Sequence, residues 1–244
     1  MLSPGLKNHI KKILGPGAIQ FLKHNLAFLH SQISYSQSGE DLLLDSFLSH
    51  KRKGFYVDVG AYDPVYLSNT YKFYKRGWRG IQIEPNPKRI AWFKKRRPGT
   101  INLNVGIGEK STSKFFIFDA DALSTFSAEE AAKAKSFGHE VLDTITVDIL
   151  PLKEVFDAYA KDTVIDFMSV DTEGYDLEVL KTNDWTQYRP QFIVLETVEY
   201  DRNKYGKKEN AVYDKFMSEI NYEKVADTYI NTIYRDTKAD IPGW

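Results

Sequence analysis

Four short apolar runs, alternating with helical stretches, limit this chain more than any other feature. They are FYVDVG at 55–60, GIQIEP at 80–85, IDFMSVD at 165–171 and QFIVLE at 191–196. Strands this continuously apolar belong in a sheet covered on both faces. YLSNTYKFYKRGW at 66–78 reads as a helix stopped near Gly77, and NPKRIAWFKKRR at 86–97 as another, with Pro87 in its permitted first turn. GYDLEVLK at 174–181 and KKENAVYDKFMSEI at 207–220 read as helices too. TINLNVGI at 100–107 reads as a third strand, and KFFIFD and ITVDIL as further strands around an irregular middle at 121–140. Two β-rich runs in 221–235 suit a closing hairpin with an antiparallel edge strand. The expectation is an α/β fold with a mostly parallel sheet and right-handed crossovers.

The 244 residues suffice for one such domain with additions. Residues 1–34 read as an N-terminal helical extension broken near Gly15-Pro16-Gly17, and 35–244 as the domain. The basic segment from Lys7 to Lys23 suits a helix packed on the domain or on a second subunit, hence a homo-oligomer; a membrane surface is the alternative. In SYSQSGEDLLLDSFL, Ser38 and Asp41 match a capping box at a helix start. No run is apolar enough to span a membrane, and Lys11, Lys12, Lys23 and His24 interrupt any signal-peptide core, so the expected location is cytoplasmic. The chain has no cysteine, which excludes disulfides, thiolate metal sites and thiol nucleophiles. Its formal net charge of zero gives no reason to expect a nucleic-acid partner.

In open parallel sheets, ligands sit beyond the carboxyl ends of the strands. Four strand ends here carry polar residues. Gly60 lets backbone approach a ligand closely, and the Asp58 carboxylate can take loop N–H groups or an ammonium. The G-x-G-x-x-G of a dinucleotide cradle is absent, and Tyr62-Asp63-Pro64 would crowd and repel a diphosphate. A positive cofactor without phosphates suits this loop better. Glu84 ends the second strand, where an acid accepts both hydroxyl protons of a ribose. Asn104 and Val105 end the third, suited to holding an adenine by an amide and an apolar contact; Asn104 satisfying a turn is the other reading. Asp171 and Glu173 follow the fourth, ahead of Gly174 and a helix. Capping by Asp171 or Thr172 accounts for one polar residue there, not for the D-T-E-G cluster.

In order along the chain, YSQSGEDLLL, FYVDVGAYDP, SNT, GIQIEPNP, NVGIG, STF, MSVDTEGYDLEVLK and PQFIVLE resemble the FkbM family of S-adenosylmethionine-dependent methyltransferases, from about Tyr35 to Glu196. The resemblance implies a Rossmann-like class I methyltransferase fold with a seven-stranded sheet. It implies O-methylation, often of a sugar or natural-product hydroxyl, as in a surface glycan. By position it places Asp58, Gly60 and Ala61 in the cofactor loop, Glu84 on the ribose, and Asn104 and Val105 beside adenine. Gln37, Asn69 and Thr70 become further cofactor candidates.

Such an enzyme needs the acceptor oxygen in line with the methyl group, and a base to take its proton. Asp171 is the first candidate, with Glu173, Glu196 and His139 as alternatives. Asp171, Glu173 and Glu196 are also hard oxygen ligands of the kind Mg²⁺ accepts, though their spacing matches no metal motif. The rival readings are a non-catalytic nucleotide-binding domain, against which the intact Asp58, Gly60, Glu84 and Asp171 set argues, and an NAD(P)-dependent oxidoreductase, against which the missing fingerprint argues.

Overall fold

The computed structural model describes Ala18 and residues 32–201, 204–208 and 210–244. The chain divides into two units at Ile33/Ser34; the second is described below, and the helical extension expected over 1–34 lies almost wholly outside the described residues.

Strands β1 (Phe55–Val59), β2 (Arg79–Ile83), β3 (Ile101–Leu103), β7 (Phe167–Val170) and β8 (Phe192–Glu196) run parallel. With β11 (Tyr222–Asp227) and β12 (Asn231–Asp236) they form a seven-stranded sheet in the order β11-β12-β8-β7-β1-β2-β3. The order runs outward both ways from β1 and β7, so the fold is Rossmann-like and has a switch point between them. The closing hairpin forms one edge; within it β12 is the reversed strand, antiparallel to both β8 and β11. Helices α1 (Glu40–Phe47), α2 (Tyr71–Lys75), α3 (Pro87–Arg96), α5 (Leu152–Tyr159), α6 (Asp176–Lys181) and α7 (Asn210–Glu219) flank this sheet.

Strand alternation divides the core in two. Val57, Val59, Ile81 and Ile83 pack with Val155, Phe156 and Leu180 on one face. Tyr56 and Phe167 pack with Leu44, Phe73 and Trp78 on the other. Asp58 alternates with Val57 and Val59, so it shares the face of Tyr56 and lies beside Gln82 of β2.

The middle segment builds a sheet of its own. Strands β4 (Gly106–Ile107), β5 (Ser111–Phe118) and β6 (Val141–Leu150) pair in the order β4-β6-β5. A 3₁₀ turn (Asp121–Leu123) and α4 (Ala128–Ser136) connect β5 to β6. A hairpin of β9 (Val198–Asp201) and β10 (Lys204–Lys208) follows β8.

Three local expectations are corrected. The helix expected over 66–78 begins only at Tyr71. Tyr62 and Leu67 take positive φ, and Asp63 and Ser68 side chains accept the N–H groups of Val65, Tyr66 and Tyr71, which holds the preceding loop open. The expected third strand breaks at Asn104, whose amide donates to the carbonyls of Glu84 and Pro85 at 3.0 and 2.7 Å. That turn sends β4 into the second sheet. The Ser38–Asp41 capping box does not form. Gly39 is the N-cap with φ 90°, and the Ser36 hydroxyl accepts the N–H groups of Gly39 and Asp41 instead.

Among the described residues no helix is long and apolar enough to cross a membrane. Phe167 is fully buried, with ring centroids of Phe73, Tyr56 and Trp78 at 4.6, 5.9 and 6.2 Å. Phe167→Ala should therefore lower the unfolding free energy by ~3–5 kcal/mol in urea titration, the range for emptying an aromatic site. A loss under ~1 kcal/mol would show that this face is not close-packed.

Candidate functional site

The parallel strands deliver their C-terminal ends to one side of the sheet, and a cavity of about 1300 Å³ opens there. Its floor carries Asp58, Gly60, Glu84, Asp171 and Glu196; Phe115, Phe126 and His139 of the second sheet's segment line another wall.

Gly60 turns the chain after β1 at φ 74°, and the N–H groups of Gly60 and Ala61 both donate to the Ile83 carbonyl, at 3.0 and 3.1 Å. A Cβ on Gly60 would overlap the carbonyl oxygen of Asp171. Glycine is thus required here both for its φ and for the approach of the two strand ends.

Asp58 accepts the Thr70 hydroxyl at 2.5 Å. Burial pushes its carboxyl up to about 6, while Arg97 and the Thr70 bond pull it down and Asp171 raises it further. Glu84 accepts the N–H groups of Tyr62 (3.0 Å) and Asn86 (2.8 Å), one on each oxygen. Burial lifts it to about 7 against those bonds and the Arg89 charge. Each Glu84 oxygen keeps a second lone pair, which suits a vicinal diol.

The Arg89 guanidinium lies 3.7 Å from the Tyr62 ring centroid, donates to the Tyr62 carbonyl at 2.8 Å and pairs with Asp121 at 2.7 Å. Asn86, the N-cap of α3, also reaches Asp121, at 3.3 Å. These contacts clip the 3₁₀ turn onto the loops around Glu84. Phe126 of the STF tripeptide packs on Phe115 at 4.7 Å, and Thr125 pairs with Phe116 across β5.

The fourth strand end holds a carboxylate cluster. Glu173 and Gly174 both take left-handed φ, 53° and 90°, before α6. The helix has no side-chain cap at its N-cap, Tyr175; the carboxylate of Asp176 accepts the Thr172 N–H and hydroxyl at 3.1 and 3.3 Å. The capping reading of Asp171 and Thr172 is therefore corrected: Asp176 ties this turn together, and Asp171 faces the cavity. Burial raises Asp176 to about 7, with Asp171 adding to it. Asp171 and Glu196 line the cavity from the ends of the paired strands β7 and β8. Burial raises both, and Glu196 rises further because Asp171, Glu173 and Asp176 all oppose its charge. Glu173 is raised by desolvation in the cavity and by Asp171 and Asp176.

The structure brings most of the expected residues together. Asp58, Gly60, Ala61 and Glu84 line the cavity with Val105; so do Gln37 and Asn69, the latter donating to Ser169 at 2.9 Å. Asp171, Glu173, Glu196 and His139 line it too, with His139 Nδ1 3.3 Å from Asp119. Two residues do not reach it. Asn104 spends its amide on the Glu84 and Pro85 carbonyls, and fully buried Thr70 bridges Arg97 to Asp58. Arg89, Asp121 and Asp176 belong to the site's framework and were not legible beforehand. In sequence each is one charge among many on a helix or turn, and only the fold aims them at strand ends. Among the described residues, no group of three or more His, Asp and Glu side chains is gathered to hold a metal ion.

These raised carboxylates set a pH dependence. A carboxyl with a raised folded pKa contributes stability while protonated and loses it as pH climbs through that pKa. Asp58 at about 6 and Glu84 and Asp176 at about 7 place the loss above the ordinary carboxylate range. The cofactor-free protein should therefore melt at a lower temperature at pH 8 than at pH 5.5 in low salt, and Glu196→Gln should flatten that slope. A melting temperature that climbs steadily from pH 5.5 to 8 would contradict the clustering.

The Methyltransferase FkbM domain model matches residues 58–224. No curated protein matches the sequence. Among solved structures, similarity is found to a Klebsiella pneumoniae protein described as an O-methyltransferase, at 10% identity, covering 95% of this chain and 96% of that one with a TM-score of 0.41. The precorrin-6y C5,15-methyltransferase of Geobacter metallireducens is similar at 15% identity over 80% of this chain and 86% of its own, TM-score 0.36. A Bacillus cereus O-methyltransferase in complex with SAH is similar at 13% identity over 94% and 96%, TM-score 0.37. The family match takes in every strand end of the site, from Asp58 through Glu84 and Asp171 to Glu196, and the chain belongs to the FkbM methyltransferase family.

Proposed function

We propose that this chain is an S-adenosylmethionine-dependent O-methyltransferase working in the cytoplasm on a hydroxyl of a small molecule, either a sugar of a surface glycan or a natural product. The observation that carries the reading is the joining of Asp58, Gly60, Glu84 and Asp171 at adjacent strand ends around one cavity. The donor set fits this cofactor. Asp58 and Asp171 are anionic partners for an ammonium and a sulfonium, and Glu84 has lone pairs for a ribose. A diphosphate would meet the same carboxylates as like charges, and Arg89 is already engaged by Asp121 and Tyr62.

When bound, S-adenosylmethionine supplies a methyl group on a positive sulfur, leaving a neutral thioether after transfer. The chain must then place an acceptor oxygen opposite that sulfur and remove its proton. Asp171 is the base: it stands at the switch-point strand end and lines the cavity, with Glu196 at the end of the neighbouring strand. Asp171 would take the proton of the acceptor hydroxyl, freeing that oxygen to receive the methyl group the cofactor supplies. The wall of Phe115, Phe126 and His139 lines the same cavity and suits the acceptor, with Asp119 steadying the His139 ring.

S-adenosylhomocysteine should raise the melting temperature, and NAD and NADP should not. Glu84→Ala should weaken its binding by ~1.5–3 kcal/mol, the scale of hydrogen bonds to a charged group. Asp171→Asn should keep that affinity within a few-fold while lowering turnover by ~10²-fold or more, measured with labelled cofactor against a panel of glycans and hydroxylated metabolites. A melting shift with NAD alone, or full turnover in Asp171→Asn, would overturn the respective assignment.

A further inference from the structure

Arg97 closes the basic run at the end of α3, yet it is fully buried. Its Nε donates to the Pro64 carbonyl at 2.8 Å, Nη2 to the Ser68 hydroxyl at 2.8 Å and Nη1 to the Thr70 hydroxyl at 2.7 Å. The rings of Phe93, Tyr71 and Tyr74 lie 5.2, 5.3 and 5.7 Å from the guanidinium. None of these contacts is with a carboxylate. A cation taken from water in this way is costly unless an anion compensates it. The anion is one hydroxyl away: Thr70 Oγ1 donates to Asp58 Oδ2 at 2.5 Å.

The bond directions matter. Arg97 can only donate, so Thr70 accepts from it and turns its single proton to the anionic Asp58 at 2.5 Å, in preference to the Ser68 hydroxyl at 3.2 Å. Asp58 in turn must accept at Oδ2. That leaves Oδ1, which has no protein partner among the described residues, on the carboxylate that lines the cavity.

We infer that Arg97 is a positioning residue for the cofactor: acting through the Thr70 hydroxyl, it holds the Asp58 carboxylate oriented and ionised, ready to receive the ammonium of the methionine end. The inference rests on the cofactor reading above. The groups that face Asp58 are few. Arg97 acts from the end of α3, Asp171 from the end of β7, the Tyr56 phenol from β1 itself, and Gln82 lies beside it on β2. Arg97 and Thr70 favour the ionised form, while burial and Asp171 oppose it. Removing the relay therefore shifts Asp58 toward its protonated form, which cannot pair with an ammonium.

Replacing a fully buried arginine risks the fold, so Thr70 is the better target. Binding of S-adenosylhomocysteine to the full chain should be measured by calorimetry from pH 6 to 8.5 for wild type, Thr70→Val, Thr70→Ser, Asp58→Asn and the Thr70→Val/Asp58→Asn double variant, with thermal melts alongside. Thr70→Val should weaken binding by about 10–100-fold at pH 7, and the deficit should shrink as pH rises and Asp58 ionises. Thr70→Ser should restore most of the affinity. In the Asp58→Asn background, Thr70→Val should add no further loss. Wild-type affinity and pH profile in a folded Thr70→Val overturns the inference. So does a Thr70→Val deficit that persists in full without Asp58, which marks a purely structural residue. Failure of wild type to bind S-adenosylhomocysteine overturns the cofactor reading, and this inference with it.

Discussion

The backbone contact between the ends of β1 and β7 is the constraint on which the site depends. Gly60 passes so close to the Asp171 carbonyl that no Cβ fits, and the Asp171 N–H closes the ladder onto Val59 at 3.0 Å. On the other side of β1, Gly60 and Ala61 both hang from the Ile83 carbonyl. Three strand ends are thereby fixed against one another, and Asp58, Glu84 and Asp171 share one cavity because of it. The cost is electrostatic. Carboxylates so placed are pushed above their ordinary range by burial and by each other, and among the described residues no cation acts directly on Asp171 or Glu196. A site organised this way is complementary to positive charge. That is the property a sulfonium cofactor with an ammonium end requires and a dinucleotide does not.

Much of the sheet was legible because its signal is local. FYVDVG, GIQIEP, MSV and FIVLE are apolar on consecutive positions, and each became a parallel strand buried on both faces. The residues at their ends follow from the rule for open parallel sheets, so Asp58, Gly60, Glu84 and Asp171 could be picked out in advance. Pro87 opened α3 as expected, with Asn86 as its cap. The failures have physical causes. The helix expected from Tyr66 was pre-empted by side chains that bond their own backbone, Asp63 and Ser68, a competition that apolar periodicity does not register. Ser38 lost the capping role to Ser36 because Gly39 turns left-handed.

The site residues whose hydrogen bonds were not legible in sequence share one trait: their partners lie far away along the chain. Thr70 was a candidate cofactor ligand, but its hydroxyl joins Asp58, twelve residues back, to Arg97, twenty-seven ahead. Asn104 was placed beside adenine, but its amide ties β3 to the loop after Glu84. Arg89 of α3 meets Asp121 of the 3₁₀ turn after β5 only through the fold. A polar residue near a strand end is therefore a good predictor of neighbourhood and a poor predictor of role. Role is decided by which hydrogen bonds the fold has already claimed.

A crystal structure of the full chain with S-adenosylhomocysteine would test the central claim most directly. The ribose hydroxyls should lie on Glu84, the ammonium on Asp58 Oδ1, and the sulfur on the Asp171 side of Gly60. An adenosyl group bound with its ribose away from Glu84 and its ammonium away from Asp58 would contradict the account.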